Sequence, residues 1–153
     1  MPLTDLLSAD RIVLLVEPID RERVLDAAAR LLADASPATT PVIADCLRQR
    51  ERLGSTAIGH GVAIPHGRCS EFAGARAAFL RLGRSTDFDA GDGEPVDLVF
   101  AMAVPRHFTQ QHLQLLSELA ERFADPAFRA ALRQAADAQA LRDVLLGTLA
   151  TTP

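Results

Sequence analysis

The sequence predicts an α/β domain in which a mixed sheet lies between layers of helix. Three observations carry this. Short apolar runs of strand character alternate with stripes of apolar residues at helical spacing. Pro95 to Val104 is a nearly continuous apolar run, as expected of a central strand covered on both faces. The chain has 153 residues, the size of one domain that buries about two-thirds of its unfolded surface. Residues 1–153 are therefore read as a single domain.

Ile12 to Val16 is the first strand. Asp20 caps a helix running to about Asp34, with Val24, Leu25, Ala28, Leu31 and Leu32 on one face. Ser36-Pro37 breaks it, and Thr40-Pro41 starts another, proline being tolerated in a first helical turn. That helix shows Val42, Ile43, Cys46 and Leu47 as its apolar face and stops near Gly54. Gly59 to Gly67 follows as a strand and turn. Ala75 to Leu82 is a strand, Ala90-Gly91-Asp92-Gly93 a turn, and Pro95 to Val104 the central strand. Phe108 to Ala124 is a helix carrying His112, Leu115, Leu116, Leu119 and Phe123 along one stripe. Asp125-Pro126 caps and opens the next helix, and Asp137 caps the last, which reaches about Leu146 before Gly147. Residues 150–153 read as frayed.

Composition excludes several classes of function. Hydrophobic residues make up 48% and charged residues 24%, as in ordinary globular proteins. A net charge of -4 gives no global attraction to nucleic acid or anionic lipid. The best apolar run, Leu98 to Val104, ends at Pro105 and falls far short of a membrane span, so no membrane insertion is expected. The opening Met1-Pro2-Leu3-Thr4-Asp5 lacks the basic region of a signal peptide. Cys46 and Cys69 form no CxxC and imply no disulfide framework, which fits a reducing cytoplasm. All 16 basic residues are arginine, while lysine, asparagine, tyrosine and tryptophan are absent. This pattern follows codon composition, so no arginine is functional merely for not being lysine.

Gly59-His60-Gly61-Val62-Ala63-Ile64-Pro65-His66-Gly67 is the most informative stretch. Glycine lets another molecule approach the backbone, proline fixes φ, and the turn presents one imidazole. Such a group can serve as nucleophile, acid/base, metal ligand or phosphate acceptor. The competing reading is a structural turn histidine; the glycine and proline packing favours function. A turn histidine at the surface is expected to keep a pKa near 6.5. His112 on its apolar stripe reads first as a core-edge histidine, yet it sits near a helix N-terminus, where an anion is favoured. Arg50 lies in the last turn of its helix, where favourable interaction with the helix end competes with a phosphate clamp. His60 and His66 are spaced H-x5-H, but no compact set of further ligands accompanies them, so no metal is expected. His107 reads as solvated or capping, and Ser55-Thr56 as a turn cap. No G-x-S-x-G, Walker loop or G-x-G-x-x-G is present.

The segment Arg50-Glu51-Arg52-Leu53-Gly54-Ser55-Thr56-Ala57-Ile58-Gly59 through Gly67 resembles the signature of bacterial phosphotransferase system enzyme IIA domains of the fructose, mannitol and nitrogen-regulatory class. Pro95-Val96-Asp97-Leu98-Val99-Phe100-Ala101, Gln111-His112-Leu113 and Leu115-Leu116-Ser117 extend the resemblance over the whole chain. The resemblance implies a three-layer α/β/α sandwich with a mixed central sheet. It places the phosphoryl acceptor at His66, a second active-site histidine at His112 and an active-site arginine at Arg50. It implies a cytoplasmic phosphohistidine carrier without cofactor or metal, charged by a histidine-containing phosphocarrier protein. Relatives of the nitrogen-regulatory form tend to have asparagine where His60 stands, and Arg68 keeps the charge of a common lysine after I-P-H-G. The acceptor of the phosphoryl group divides the readings. In sugar-specific relatives a IIB domain takes it; in regulatory relatives the phosphorylation state is itself the output, of nitrogen or potassium type. The Leu3-Thr4-Asp5-Leu6-Leu7 opening and the lone IIA-sized domain favour the regulatory form. A binding module that keeps the fold without phosphotransfer is the alternative of another class, and a metal-dependent hydrolase a distant third. Ile58, Val62 and Ile64 are candidates either for the docking surface or for the core.

Overall fold

The computed structural model describes residues 3–15, 20–69, 74–107 and 110–150. Val16 of the first predicted strand, Phe108 and Thr109 at the predicted start of the third helix and residues 151–153 of the predicted frayed end lie outside the described residues. The elements are β1 (Ile12–Leu15), α1 (Arg21–Leu32), α2 (Thr40–Leu53), β2 (Ala57–Gly59), β3 (Val62–Ala63), β4 (His66–Arg68), β5 (Arg76–Thr86), β6 (Val96–Val104), α3 (Gln110–Phe123), α4 (Pro126–Gln134) and α5 (Ala138–Ala150).

Local chemistry sets the helix starts. Asp20 accepts from the Arg23 N–H at 2.8 Å, Asp125 from Ala127 at 3.0 Å and Asp137 from Ala140 at 2.8 Å. Each satisfies a backbone donor that the first helical turn leaves without an intrahelical partner. Pro41 and Pro126 occupy first-turn positions. The last helix runs past its expected end at Leu146, through Gly147 to Ala150, because Leu145 and Leu149 bury one face against the core.

The sheet has six strands in the order β1-β5-β6-β3-β2, with β4 also paired to β6. β1 runs parallel to β5, β5 antiparallel to β6, and both β3 and β4 parallel to β6, so the sheet is mixed. The stretch Gly59 to Gly67, predicted as a strand and turn, is divided among β2, β3 and β4. His60 takes φ 58 in the tight turn between β2 and β3. β3 and β4 then lie end to end along β6, with Val62 opposite Leu98 and His66 opposite Met102. Pro65 falls in the break, where no strand N–H is required of it, and its carbonyl accepts from Met102 at 2.9 Å.

Alternate residues of β6 feed two cores, as the two-residue strand period requires. Leu98, Phe100 and Met102 pack with α3, α4 and α5, while Val99, Ala101 and Ala103 pack with α1 and α2. This is the three-layer α/β/α arrangement. Leu3 and Leu6, in a short 3-10 turn that periodicity does not show, join the first core. The predicted face of α2 is rotated: Ile43, Ala44, Leu47 and Glu51 are buried, whereas Val42 is exposed and Cys46 half-buried.

A buried carboxylate fixes the turn after α2. Glu51 accepts from the Thr56 N–H at 2.9 Å and from its hydroxyl at 2.6 Å, with Arg21 Nη1 3.8 Å away. Glu51→Ala strands two buried donors and is expected to cost about 2–3 kcal/mol, lowering Tm by roughly 5–10 °C for a chain of this size. Thermal melting against wild type checks this.

No helix among the described residues is long and apolar enough to cross a membrane.

Candidate functional site

β4 carries His66 into a cleft between α2 and the first turn of α3. Gly67 is needed because α2 crosses directly over it. A Cβ there would lie 3.1 Å from Cys46 Cβ and 3.2 Å from the Cys46 backbone carbonyl carbon and oxygen. That close approach sets Arg50, one turn beyond Cys46 on α2, beside the His66 ring.

The expectation of a surface histidine with an ordinary pKa is corrected here. His66 is 9% exposed, and burial pushes its pKa below 6.5, with the Arg50 charge acting in the same direction. The hydrogen bond to Ile64 opposes this shift. The Ile64 carbonyl lies 2.7 Å from His66 Nδ1. A carbonyl oxygen only accepts, so Nδ1 carries the proton and Nε2 the lone pair. Arg50 Nε donates to that Nε2 at 3.2 Å, and Arg50 Nη1 donates to the Gly54 carbonyl at 2.8 Å. One guanidinium thus satisfies the end of α2, as one sequence reading of Arg50 expects, and also reaches the imidazole.

His112, in the first turn of α3, is also 9% exposed. Its ring centroid lies 5.0 Å from that of His66. Its Nδ1 is buried and has no hydrogen-bond partner among the described residues. Burial first, then the charges of His66, Arg68 and Arg50, hold its pKa down to about 4. Both rings are therefore neutral at pH 7.

Protonation follows with a definite sign. Unfolded, each ring titrates at its ordinary value of 6.5. The unfolded chain therefore binds more protons below that pH, and stability falls as pH drops from 6.5 toward 4. Above 6.5 these two groups have no effect. His112→Gln removes its share, and urea midpoints are expected to fall less steeply in the variant across this window than in wild type.

The cleft, about 670 Å³, is lined by Cys46, Gln49, Arg50, Leu53, His66, Gly67, Arg68, Arg106, His112 and Leu113. The structure thus brings His66, His112 and Arg50 together. The sequence does not single out Arg106, Leu53 or Leu113 as site residues. The available signal is position: Arg106 follows Pro105 at the carboxyl end of the central strand, where α/β sheets place their sites.

The remaining candidates lie elsewhere or act locally. His60 belongs to a second cleft with Asp92, Asp97 and Arg133. Its N–H donates to Asp92 Oδ2 at 2.9 Å and its carbonyl accepts from Arg133 Nη2 at 2.5 Å. The H-x5-H pair therefore does not converge. Gly61 beside it has φ 78, and a Cβ there would lie 2.5 Å from Arg133 Nη2, so the turn requires glycine. Ser55 donates to the Phe88 carbonyl and accepts from the Ala57 N–H at 3.1 Å. His107 is on the exposed turn ahead of α3. Val62 and Ile64 are core, whereas Ile58 is exposed. Among the described residues, no group of three or more His, Cys, Asp or Glu is placed to hold a metal ion.

Chemically, the cleft holds a neutral imidazole with a defined lone pair, a second neutral imidazole facing it and three guanidinium groups. These groups suit an incoming phosphoryl anion.

Residues 5–147 match the family described as phosphoenolpyruvate-dependent sugar phosphotransferase system, EIIA 2. The chain is 37% identical over 145 residues to a nitrogen regulatory protein of Bradyrhizobium diazoefficiens, covering 95% of each. It is 30% identical over 146 residues to a fructose-specific EIIABC component of Bacillus subtilis, covering 95% of this chain and 23% of that one. The crystal structure of nitrogen regulatory protein IIA-Ntr from Neisseria meningitidis superposes with a TM-score of 0.83 at 37% identity, over 92% of this chain and 97% of that one.

Proposed function

The chain belongs to the phosphoenolpyruvate-dependent sugar phosphotransferase system EIIA 2 family, and on that premise we propose that Nε2 of His66 accepts a phosphoryl group from a phosphohistidine of a histidine-containing phosphocarrier protein. The observation that carries this is the pair of contacts on the His66 ring. The bond to the Ile64 carbonyl keeps the proton on Nδ1 and leaves the Nε2 lone pair facing the cleft.

The lone pair of Nε2 attacks phosphorus in line with the donor's P–N bond. As the new N–P bond forms, the old one breaks and its electron pair returns to the donor imidazole. The His66 proton stays on Nδ1, where the Ile64 carbonyl stabilises the positive charge that the ring acquires. One P–N bond replaces another, so the step is near balance and catalysis reduces to positioning and charge stabilisation. Arg50 leaves Nε2 as phosphorus arrives and turns its N–H groups to the phosphoryl oxygens, while its Gly54 contact limits its travel. His112, neutral and in the first turn of α3, donates to the same oxygens, aided by the partial positive charge of the helix N-terminus.

Low pKa values serve this role. A nucleophile must be unprotonated, and burial keeps His66 neutral below the pH at which a free histidine would charge. The ring nitrogen is tested by 15N-detected NMR of the phosphorylated protein: the long-range proton pattern is expected to mark Nε2 as substituted, and substitution at Nδ1 would overturn the assignment.

The output is regulatory, with the phosphorylation state read by target proteins, as similarity over the full length of a nitrogen regulatory protein supports. The similarity to a fructose-specific component sustains the second reading, transfer to a IIB domain. Incubating the charged protein with fructose- and mannitol-type IIB domains separates them: the regulatory reading predicts retention of the phosphoryl group, the sugar reading its rapid loss to one of them.

A further inference from the structure

We propose that the second cleft, at the opposite end of β6 from His66, binds a small zwitterion of the amino-acid class, with its carboxylate inward and its ammonium at the rim. The cleft holds about 600 Å³. Asp97 stands at the start of β6, whereas His66 lies opposite Met102 toward the end of that strand, so the two sites are separate. An irregularity in the sheet shapes the cleft. The pairing of β5 with β6 passes from Arg81 opposite Leu98 to Thr86 opposite Val96, so β5 bulges and Ser85 comes to the cleft wall. Bulges of this kind re-aim side chains beside sites.

Arg129 supplies the inward cation. It shares a face of α4 with Arg133, one turn on, and both line the cleft. The two guanidiniums differ in what holds them. Arg133 is matched by Asp97, which accepts from Nε at 3.0 Å and from Nη2 at 2.9 Å. Arg129 is only 9% exposed, and among the described residues no carboxylate pairs with it. Its Nη1 donates to the Phe123 carbonyl at 2.8 Å, which closes the end of α3. Its Nε and Nη2 have no hydrogen-bond partner among the described residues, yet neither is sealed from solvent. A guanidinium stays charged, and a buried charge without a counter-charge is costly. An anion that enters the cleft meets those two unused donors.

The rim has the opposite sign. Asp92 and Glu94 are exposed and line the same cleft. Asp92 accepts from the N–H groups of His60 at 2.9 Å and Glu94 at 3.0 Å, neutral donors that leave its charge uncompensated. With Asp97 and Arg133 cancelling each other, the lining that remains beside the His60 imidazole offers one buried cation and two rim carboxylates. A phosphate dianion is repelled by the rim, and a simple cation by Arg129. A molecule that carries both charges meets a complement at each end.

The test is proton–nitrogen correlation NMR of the 15N-labelled full chain, titrated in turn with each standard L-amino acid and with γ-aminobutyrate, whose charges are further apart. At least one of these is expected to give saturable shifts at Gly61, Ser85, Asp92 and Glu94, half-complete near ~1 mM. Propionate and methylamine, each with one charge only, are expected to bind about tenfold more weakly. Arg129→Gln is expected to abolish the saturable shifts. Because Arg129 also ties the end of α3, a second variant at exposed positions, Asp92→Asn with Glu94→Gln, separates binding from folding. There the amino acid is expected to bind about tenfold more weakly and propionate more tightly than in wild type, a reversal that loss of structure does not produce. His66→Ala is expected to bind as wild type does, so the outcome stands apart from the carrier reading. The proposal is overturned by the absence of saturable shifts with every amino acid, by shifts confined to the His66 cleft, or by propionate, methylamine or inorganic phosphate binding the second cleft as tightly as the best amino acid.

Discussion

His66→Ala is expected to end phosphoryl uptake entirely, with transfer from a charged phosphocarrier falling below detection. The other imidazoles do not replace it. His112 stands 5.0 Å away, centroid to centroid, on a different element, and its buried Nδ1 has no carbonyl among the described residues to hold a proton there. His60 sits in a separate cleft. The fold is expected to survive. The ring's bond to Ile64 is local, and losing a typical hydrogen bond costs about 1 kcal/mol. Far-ultraviolet circular dichroism and a melting curve check that loss of transfer is not loss of structure.

His112→Ala is the second large effect. Removing one preorganised donor from a developing oxyanion costs about 10²–10³ in rate, so transfer is expected to slow by about two orders of magnitude in both directions while the acceptor remains competent. His112→Gln, which restores an N–H donor, is expected to recover part of the loss; a purely packing role for His112 would leave the two variants equally slow. The ring also reports on charge. Its pKa, about 4 in the free protein, is expected to rise when a phosphoryl dianion is placed on His66, because a nearby opposite charge favours the imidazolium. Proton NMR titration of the charged and uncharged protein measures this directly. Unchanged rates in His112→Ala, forward and reverse, would remove His112 from the mechanism.

Much of the architecture is legible in the chain because local chemistry decides it. Asp20, Asp125 and Asp137 cap where their short acceptors reach free N–H groups, and Leu98 to Val104 is apolar throughout because this part of β6 is covered on both faces. The buried face of α2 departs from its apolar pattern for a physical reason. Val42 and Cys46 are apolar enough to pass for core, while small Ala44 and charged Glu51 do not look buried; Glu51 is buried because Thr56 and Arg21 satisfy it. The division of Gly59 to Gly67 into three strands depends on pairing with β6, far along the chain. The helix beyond Gly147 is held by Leu145 and Leu149 in the core, which outweighs the glycine's weak helix propensity.

The site divides in the same way. His66, His112 and Arg50 are legible through the motif that carries them, and all three line one cleft. The tautomer, the burial of His66 and the arrival of Arg106 and Leu113 at the same cleft all come from long-range packing. Burial is the consequential one, since it turns an expected surface histidine into an imidazole that stays neutral below the ordinary titration range.

The central claim is that His66 is the residue that receives the phosphoryl group. Its most direct test is intact-mass measurement of wild type and His66→Ala after incubation with a phosphoenolpyruvate-charged phosphocarrier, with a known enzyme IIA as positive control. An acid-labile gain of one phosphoryl group, about 80 Da, in wild type alone, mapping to the peptide that contains His66, is the predicted result. A gain retained in His66→Ala, or one mapping to His60, His107 or His112, would contradict it.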